Sequence, residues 1–347
     1  MKKIFLAGGA LLSIGLAVHV GKLLTDAGVF WKGEAKGFTF CTERARLTGA
    51  EDMEWSPGLK RVIVSADFRP AAGEANPPSG AIYAFNPDTN EAAARVSPDL
   101  PFSFHPHGIA LWEDKNGTVL LAINHRPEES TIERFRWEKD GFRHEETLRD
   151  PLLITPNDLV ATGPREFFLS HDHGSRSHFA QALEHYARLG RGYLTRFDGK
   201  SFARVADGIF FANGLALDSA QRLLYVAAML EKSVRVYDVK DPAHPAYLRR
   251  IQLSAGPDNV KLASDGALWI AAHPKILTLK KHSEHHQEKA PSVIIRVKNP
   301  AAAAAQAEEV MVEPGPRLSA ASVALPLGEN LYLGTIYDNV VLRCPLP

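Results

Sequence analysis

The chain has 347 residues, of which 45% are hydrophobic and 23% charged. That balance provides for a large folded core and excludes a collagen, a coiled coil and a disordered polymer. Forty Lys and Arg offset forty Asp and Glu, and no basic cluster interleaved with aromatics occurs, so the electrostatic footprint of nucleic-acid binding is missing.

Residues 1–30 open on Lys2-Lys3 and continue as IFLAGGALLSIGLAV, the layout of an export signal. The run is shorter than the roughly 20 apolar residues of a comfortable membrane span, and no clear A-x-A cleavage site follows before Lys22. An uncleaved signal anchor is expected, giving an exported protein, extracellular or periplasmic, with membrane association through its N-terminus. Residues 31–347 are expected to form one globular domain.

Within that domain a weak repeat emerges, an apolar strand ending in a small or polar residue, then a gap, then an alternating strand. The copies are RVIVSAD with AIYAFN, TVLLAINH with TIERFRW, EFFLSHD with GYLTRFD, LLYVAAM with SVRVYDV, ALWIAAH with KILTLKK, and LYLGTIY with NVVLRC. Their spacing of roughly fifty residues suits one four-stranded propeller blade. The expected fold is all-β, a six-bladed β-propeller. Asn116-Gly117-Thr118 has the form of a glycosylation acceptor, but Asn-Gly between two apolar strands reads more simply as their hairpin turn.

About ten residues ahead of each copy another short strand opens on a polar or Gly-containing pair. In order the openings are Glu51-Asp52, His107-Gly108, Asn157-Asp158, Asn213-Gly214, Asp258-Asn259 and, least clearly, Ser319 to Ser322. If these are the innermost strands, their starts and the ends of their antiparallel partners share one rim. His125, His171, Asp172, His173 and His273 then join the openings at the tunnel mouth, with His173 and His273 on the substrate side.

Between His173 and Gly192 the repeat is interrupted by SRSHFAQALEHYARL, whose Phe179, Leu183, Tyr186 and Leu189 fall at helical spacing. A helix near the active-site face is expected, either packed on the flank or forming a lid or membrane-facing wall. His144, His282, His285 and His286 sit in charged stretches and read as surface. The only cysteines, Cys41 and Cys344, would tie the ends of the globular part together if they pair.

Glu51, Asn157, Asn213, Asp258 and Asn259 supply two carboxylates and three amides, the ligand chemistry of calcium. Side chains alternate along a strand, so Asp52 and Asp158 would serve a second ion deeper in the tunnel. His107 and His125 are the candidates to activate water, since neutral imidazoles take protons near physiological pH. A rival zinc reading rests on His105-Pro106-His107 and His171-Asp172-His173, but leaves the oxygen-bearing openings unexplained. No G-x-S-x-G elbow, P-loop, H-E-x-x-H or dinucleotide fingerprint occurs.

FHPHGIAL, AINHRPEESTIERFRW, PNDLVATGPREFF, SHDH, FANGLALD, PDNVKL and AAHP, in that order, resemble the segments of the paraoxonases, or serum arylesterases, over nearly the whole chain. The resemblance implies a six-bladed propeller that hydrolyses lactones and aryl esters with calcium, a retained N-terminal hydrophobic segment and a Cys41–Cys344 disulfide. It implies two calcium ions, a catalytic one on Glu51, Asn157, Asn213, Asp258 and Asn259, and a structural one on Asp52, Asp158 and the main-chain carbonyl of Ile109. The family's histidine dyad falls on His107 and His125, with Asp258 or Glu51 as the rival general base, and Phe211 matches its substrate wall.

The chain departs from the animal enzymes at Ala272, where they carry a free cysteine, in the loop AAGEANPP after Arg69, and in the basic, His-rich stretch 275–289. Loops at a propeller mouth set specificity, so the choice among small-molecule lactones and esters stays open. The alternatives are a propeller enzyme of the gluconolactonase and strictosidine-synthase kind, and a non-catalytic binding or chaperone module.

Overall fold

The computed structural model describes residues 18–70 and 78–347. Pairing between neighbours in sequence builds the molecule, with strands joined antiparallel into six four-stranded sheets. Lys115-Asn116 closes the hairpin between Pro106–Asp114 and Gly117–His125, with Gly117, the first residue of the second strand, at φ 105°. Five sheets use consecutive strands. The sixth combines Ala321–Leu327, Asn330–Thr335 and Asn339–Pro345 with Thr42–Thr48 from the other end of the chain, and the Cys41–Cys344 disulfide fastens that seam.

The sheets are the blades of a six-bladed propeller. Ala50–Ser56, Pro106–Asp114, Pro156–Ala161, Ala212–Asp218, Gly256–Leu262 and Ala321–Leu327 are the innermost strands, each packed on its two neighbours. Six apolar clusters fill the spaces between adjacent blades. Between the first two blades Ile63, Ile82, Phe104, Ile109, Leu120 and Phe135 are buried together, each contributing about 1.5–3 kcal/mol on burial.

Five of the six repeat copies supply the strand pairs expected of them. The exception is KILTLKK, which lies in helix α3 (Ile276–Glu284), while the strand pairing with Leu268–His273 is Ser292–Lys298. The β-branched run SVIIRV fits a buried central strand, whereas the Lys-rich segment keeps its charges outward as a helix.

The expected insertion is helix α2 (His178–Tyr186). It walls the tunnel mouth together with α3 and an N-terminal helix, α1, whose described part covers residues 18–26. Arg188 donates to Asp26 Oδ2 at 2.7 Å, and the Ile276 N–H donates to the Ala27 carbonyl at 3.0 Å. The apolar stripe of α2 turns outward, leaving Phe179 81%, Leu183 51% and Tyr186 57% exposed. Residues 1–17, which carry most of the expected signal anchor, lie outside the described residues, as does 71–77 of the loop after Arg69. Among the described residues no helix is long and apolar enough to cross a membrane.

One irregularity recurs in all six blades. Each innermost strand carries a bulge at its opening, where it places one more residue than its partner strand opposite. Such a bulge re-aims side chains that a regular strand would send to alternate faces. Serines on the second strand occupy the released N–H groups, Ser65 Oγ accepting from Asp52 at 3.2 Å and Ser170 Oγ from Asp158 at 3.0 Å.

Candidate active site

The bulges deliver the first residue of five of the six openings to the wall of a cavity of about 580 Å³ at the tunnel mouth, whereas Ser319 to Ser322 do not line it. Glu51, His107, Asn157, Asn213 and Asp258 all line it, as does His273. Asn259 lies just behind, its Nδ2 donating to the Glu51 carbonyl at 3.1 Å and to Glu51 Oε1 at 2.9 Å. Asp258 Oδ2 is 2.7 Å from His273 Nε2.

Glu51 Oε2, Asn157 Oδ1, Asn213 Oδ1 and Asn259 Oδ1 are buried and have no hydrogen-bond donor. An unpartnered buried acceptor costs about 1–3 kcal/mol, and a cation would satisfy these four, which come from the innermost strands of four different blades. Two carboxylates and three amides are hard oxygen ligands of the kind that calcium takes. Among the described residues no group of three or more His, Cys, Asp or Glu is arranged to hold a metal, so the amides are essential to this set.

His107 Nδ1 meets His125 Nε2 at 2.9 Å, and His125 Nδ1 meets Ser130 Oγ at 3.1 Å. On its other side His107 Nε2 lies 3.5 Å from Glu51 Oε1. Burial, and after it the neighbouring His107, lowers His125 to about 3, so it is neutral at physiological pH. Burial alone would raise Glu51, but His107, Arg69 and Asn259 hold it at about 2, fully ionised.

His173 lies one layer behind the wall. Its Nδ1 is 2.7 Å from Asp172 Oδ1, its Nε2 is 2.8 Å from His185 Nε2, and its ring meets the edge of Phe211 at 5.1 Å. Phe211 lines the cavity in a left-handed conformation, φ 63°, a strained geometry for a bulky residue. Leu24 of α1, Met229, Ile276 and Leu279 of α3 complete a mainly apolar wall.

The histidine pairs of the zinc reading are drawn apart. His105 Nδ1 turns to Asp67 Oδ1 at 3.1 Å, and His171 stacks on Tyr193 at 4.2 Å with its Nε2 on Thr195 Oγ1 at 3.0 Å. Of the histidines expected at the surface, one is inside and another is half-buried. His282 is fully buried against Tyr337, and His144 Nε2 pairs with the buried Glu133 Oε2 at 2.8 Å. Their charged neighbours in sequence masked the inward face of each element.

Asp52 and Asp158 sit beneath the mouth, outside the cavity wall. Each braces the innermost strand of the next blade, Asp52 Oδ2 accepting from the Ile109 N–H at 3.0 Å and Asp158 Oδ2 from the Leu215 N–H at 2.7 Å. Between them sequence reasoning missed Lys261, whose Nζ is 2.7 Å from Asp52 Oδ1 and 2.5 Å from Glu54 Oε1. Burial opposes its charge, but Asp52, Glu54 and Asp158 outweigh burial and raise Lys261 above the ordinary lysine range. Its position two residues after Asn259, on the same face of that strand, was the available signal. Arg69 and His185 also line the cavity without having been expected there.

The arylesterase sequence profile matches residues 48–346. Serum paraoxonase/arylesterase 2 of Gallus gallus is 29% identical over 311 residues, 86% of each chain. Serum paraoxonase/arylesterase 1 of Homo sapiens is 29% identical over 309 residues, again 86% of each. Among solved structures, a gluconolactonase from Xanthomonas campestris superposes with a TM-score of 0.58 at 14% identity, covering 91% of this chain and 96% of its own. Regucalcin from Agrobacterium tumefaciens, described as a calcium-binding protein, gives 0.55 at 9% identity, covering 90% and 93%. These structural likenesses carry the propeller fold, whereas the profile runs through every blade, and on that ground the chain belongs to the arylesterase family.

Proposed function

We propose that the protein is a calcium-dependent hydrolase of lactones and aryl esters. The observation that carries this reading is that three residues with a buried, donorless oxygen, Glu51, Asn157 and Asn213, line the cavity that His107 also lines, with the donorless Asn259 Oδ1 just behind them. Glu51, Asn157, Asn213, Asp258 and Asn259 would hold the ion. When bound, calcium supplies a Lewis acid for a carbonyl oxygen and a fixed charge for the oxyanion that develops there.

The protein's own groups handle the proton. The histidine network is satisfied when His125 Nδ1–H donates to Ser130 Oγ and His107 Nδ1–H donates to His125 Nε2. That tautomer leaves the lone pair of His107 Nε2 free to take a proton from water. Once protonated, His107 Nε2 faces the ionised Glu51 Oε1 at 3.5 Å, which stabilises the imidazolium. Phe211 and the apolar wall would hold the acyl or aryl part, with His273 keeping Asp258 in place.

That wall supports aliphatic and aryl substrates over polyhydroxylated sugar lactones. The basic and apolar start of the chain, together with its disulfide, supports export. The outward apolar residues of α2, beside Val18 and Val20 of α1, support contact between the mouth and a lipid surface.

The test is hydrolysis of aliphatic lactones, homoserine lactones and phenyl acetate by the purified protein, before and after chelation, with calcium restored. Activity lost on chelation and regained with calcium is expected. Full activity in protein shown to be free of metal would overturn the reading, and inactivity with calcium bound would favour the binding-module alternative.

A further inference from the structure

The two acceptor sets that the resemblance assigns to calcium are in opposite conditions. At the mouth four buried oxygens have no donor. Beneath it, every carboxylate oxygen of Asp52 and Asp158 has one. Asp52 Oδ1 accepts from the Met53 N–H at 2.8 Å and from Lys261 Nζ at 2.7 Å, and its Oδ2 accepts from Ile109. Asp158 Oδ1 accepts from the Leu159 N–H and its Oδ2 from the Leu215 N–H, both at 2.7 Å. Ile109, the third implied ligand, meets Asp52 through its N–H and not its carbonyl. A positive charge is already in place, since Lys261 is 5% exposed and its ammonium also reaches Glu54 Oε1 at 2.5 Å. The residues implied for a structural calcium therefore do not suit that ion.

We propose that the Lys261 ammonium is the resident cation of the deep site, replacing a second calcium, and that the chain binds a single calcium ion, at the mouth. An ammonium directs three donors and is content with carboxylates that also accept backbone N–H groups, whereas calcium requires six to eight oxygens. A divalent ion beside a buried ammonium would also meet repulsion that little solvent screens. Because Lys261 belongs to the innermost strand of the fifth blade, this cation arrives with folding and cannot be removed by a chelator. The total of one ion rests on the reading of the mouth as a calcium site, whereas the exclusion of a second ion does not.

The test counts calcium per chain, by elemental analysis and by calorimetric titration, in the wild-type protein, in Lys261→Ser and in Lys261→Ser combined with Asp158→Asn. The expected counts are one, two and one. A wild-type count of two overturns the proposal and leaves the mouth reading intact. A wild-type count of zero with one ion gained in Lys261→Ser removes the mouth reading, and with it the total of one, but supports the replacement at the deep site. An unchanged count in folded Lys261→Ser overturns the replacement. Lys261→Ser is also expected to show a calcium-dependent rise in Tm larger than that of the wild type. If that variant does not fold, the wild-type count decides alone, with one or zero in favour and two against.

Discussion

His107 and His125 come from antiparallel neighbours in one blade, and their rings meet nearly edge to face, 74° apart, with Nδ1 and Nε2 separated by 2.9 Å. The contact is polar and directional, and it leaves His107 Nε2 turned to Glu51 Oε1 at 3.5 Å, in the cavity wall. His107→Gln should therefore lower kcat on a lactone by roughly 10²–10⁴-fold, the range for loss of general acid–base assistance, while calcium affinity is unchanged. Ser130→Ala should cost less, because it removes only the partner of His125. Parallel loss of calcium binding in His107→Gln would assign that histidine to the ion's shell.

Asp258 is held by His273 at 2.7 Å, and His273 is itself buried. On the proposed calcium site, His273→Phe should weaken calcium by roughly 10–100-fold, as loss of a second-layer partner does, and Asn213→Ala should weaken it further by removing a proposed ligand. Titration of metal-free protein, followed by calorimetry, ranks the three proteins. Equal affinity in the wild type and Asn213→Ala would exclude Asn213 from the site.

The propeller was legible because its repeat lies in local alternation and spacing, which survive in any blade whatever its loops. The mouth was legible because its polar openings break that alternation at one place in each copy. Lys261 was not, since a lone lysine in a strand reads as solvated until the tunnel axis is located, and its partner Asp52 is 209 residues away by numbering, 261 less 52. Helix α3 was misread because ILTLKK satisfies a strand's alternation as well as a helix's exposure, and only pairing with Leu268–His273 decides between Ile276–Glu284 and Ser292–Lys298. The partnership of His173 with His185 joins a strand end to an inserted helix, a contact that no spacing encodes.

Gly108 and Gly214 stand second in the openings of the second and fourth blades, where the first, third and fifth carry Asp52, Asp158 and Asn259. A Cβ on Gly214 would lie 2.5 Å from Asn259 Cα and 2.6 Å from the Asp258 carbonyl, both backbone, so nothing can give way cheaply. Gly214→Ala should push the fourth and fifth blades apart at the mouth. The expected loss is about 1–3 kcal/mol in stability, typical of overpacking, accompanied by weaker calcium binding. A variant with unchanged Tm and unchanged calcium affinity would show that the blades are not in contact there.

The disulfide spans a sequence separation of 303 residues, across the blade that joins Thr42–Thr48 to the last three strands. On the chain-entropy model, closing so long a loop stabilises by at most about 6 kcal/mol. Cys41→Ser should lower Tm while leaving the lactone kcat at permissive temperature unchanged, because Thr42–Thr48 still pairs with Asn339–Pro345. Equal Tm for the variant and for oxidised wild type would mean that strand pairing alone closes the ring.

His171 sets an acid limit on stability. It is fully buried, stacked on Tyr193, and burial lowers it to about 3 from an ordinary 6.5, with Asp172 only partly opposing that effect. The folded state thus keeps His171 neutral between pH 6.5 and 3, while the unfolded chain binds a proton there. A group depressed in this way contributes fully above about 6.5, and its contribution falls as pH drops, by about 1.4 kcal/mol per pH unit. His171→Phe removes that proton linkage and keeps an aromatic ring against Tyr193. Unfolding free energies measured from pH 7.5 to 4.5 should converge, or cross, in favour of the variant below pH 6.5, because carboxylate contributions common to both proteins cancel. Parallel curves over that range would mean that His171 titrates alike in the folded and unfolded chains, and that its burial is not maintained in solution.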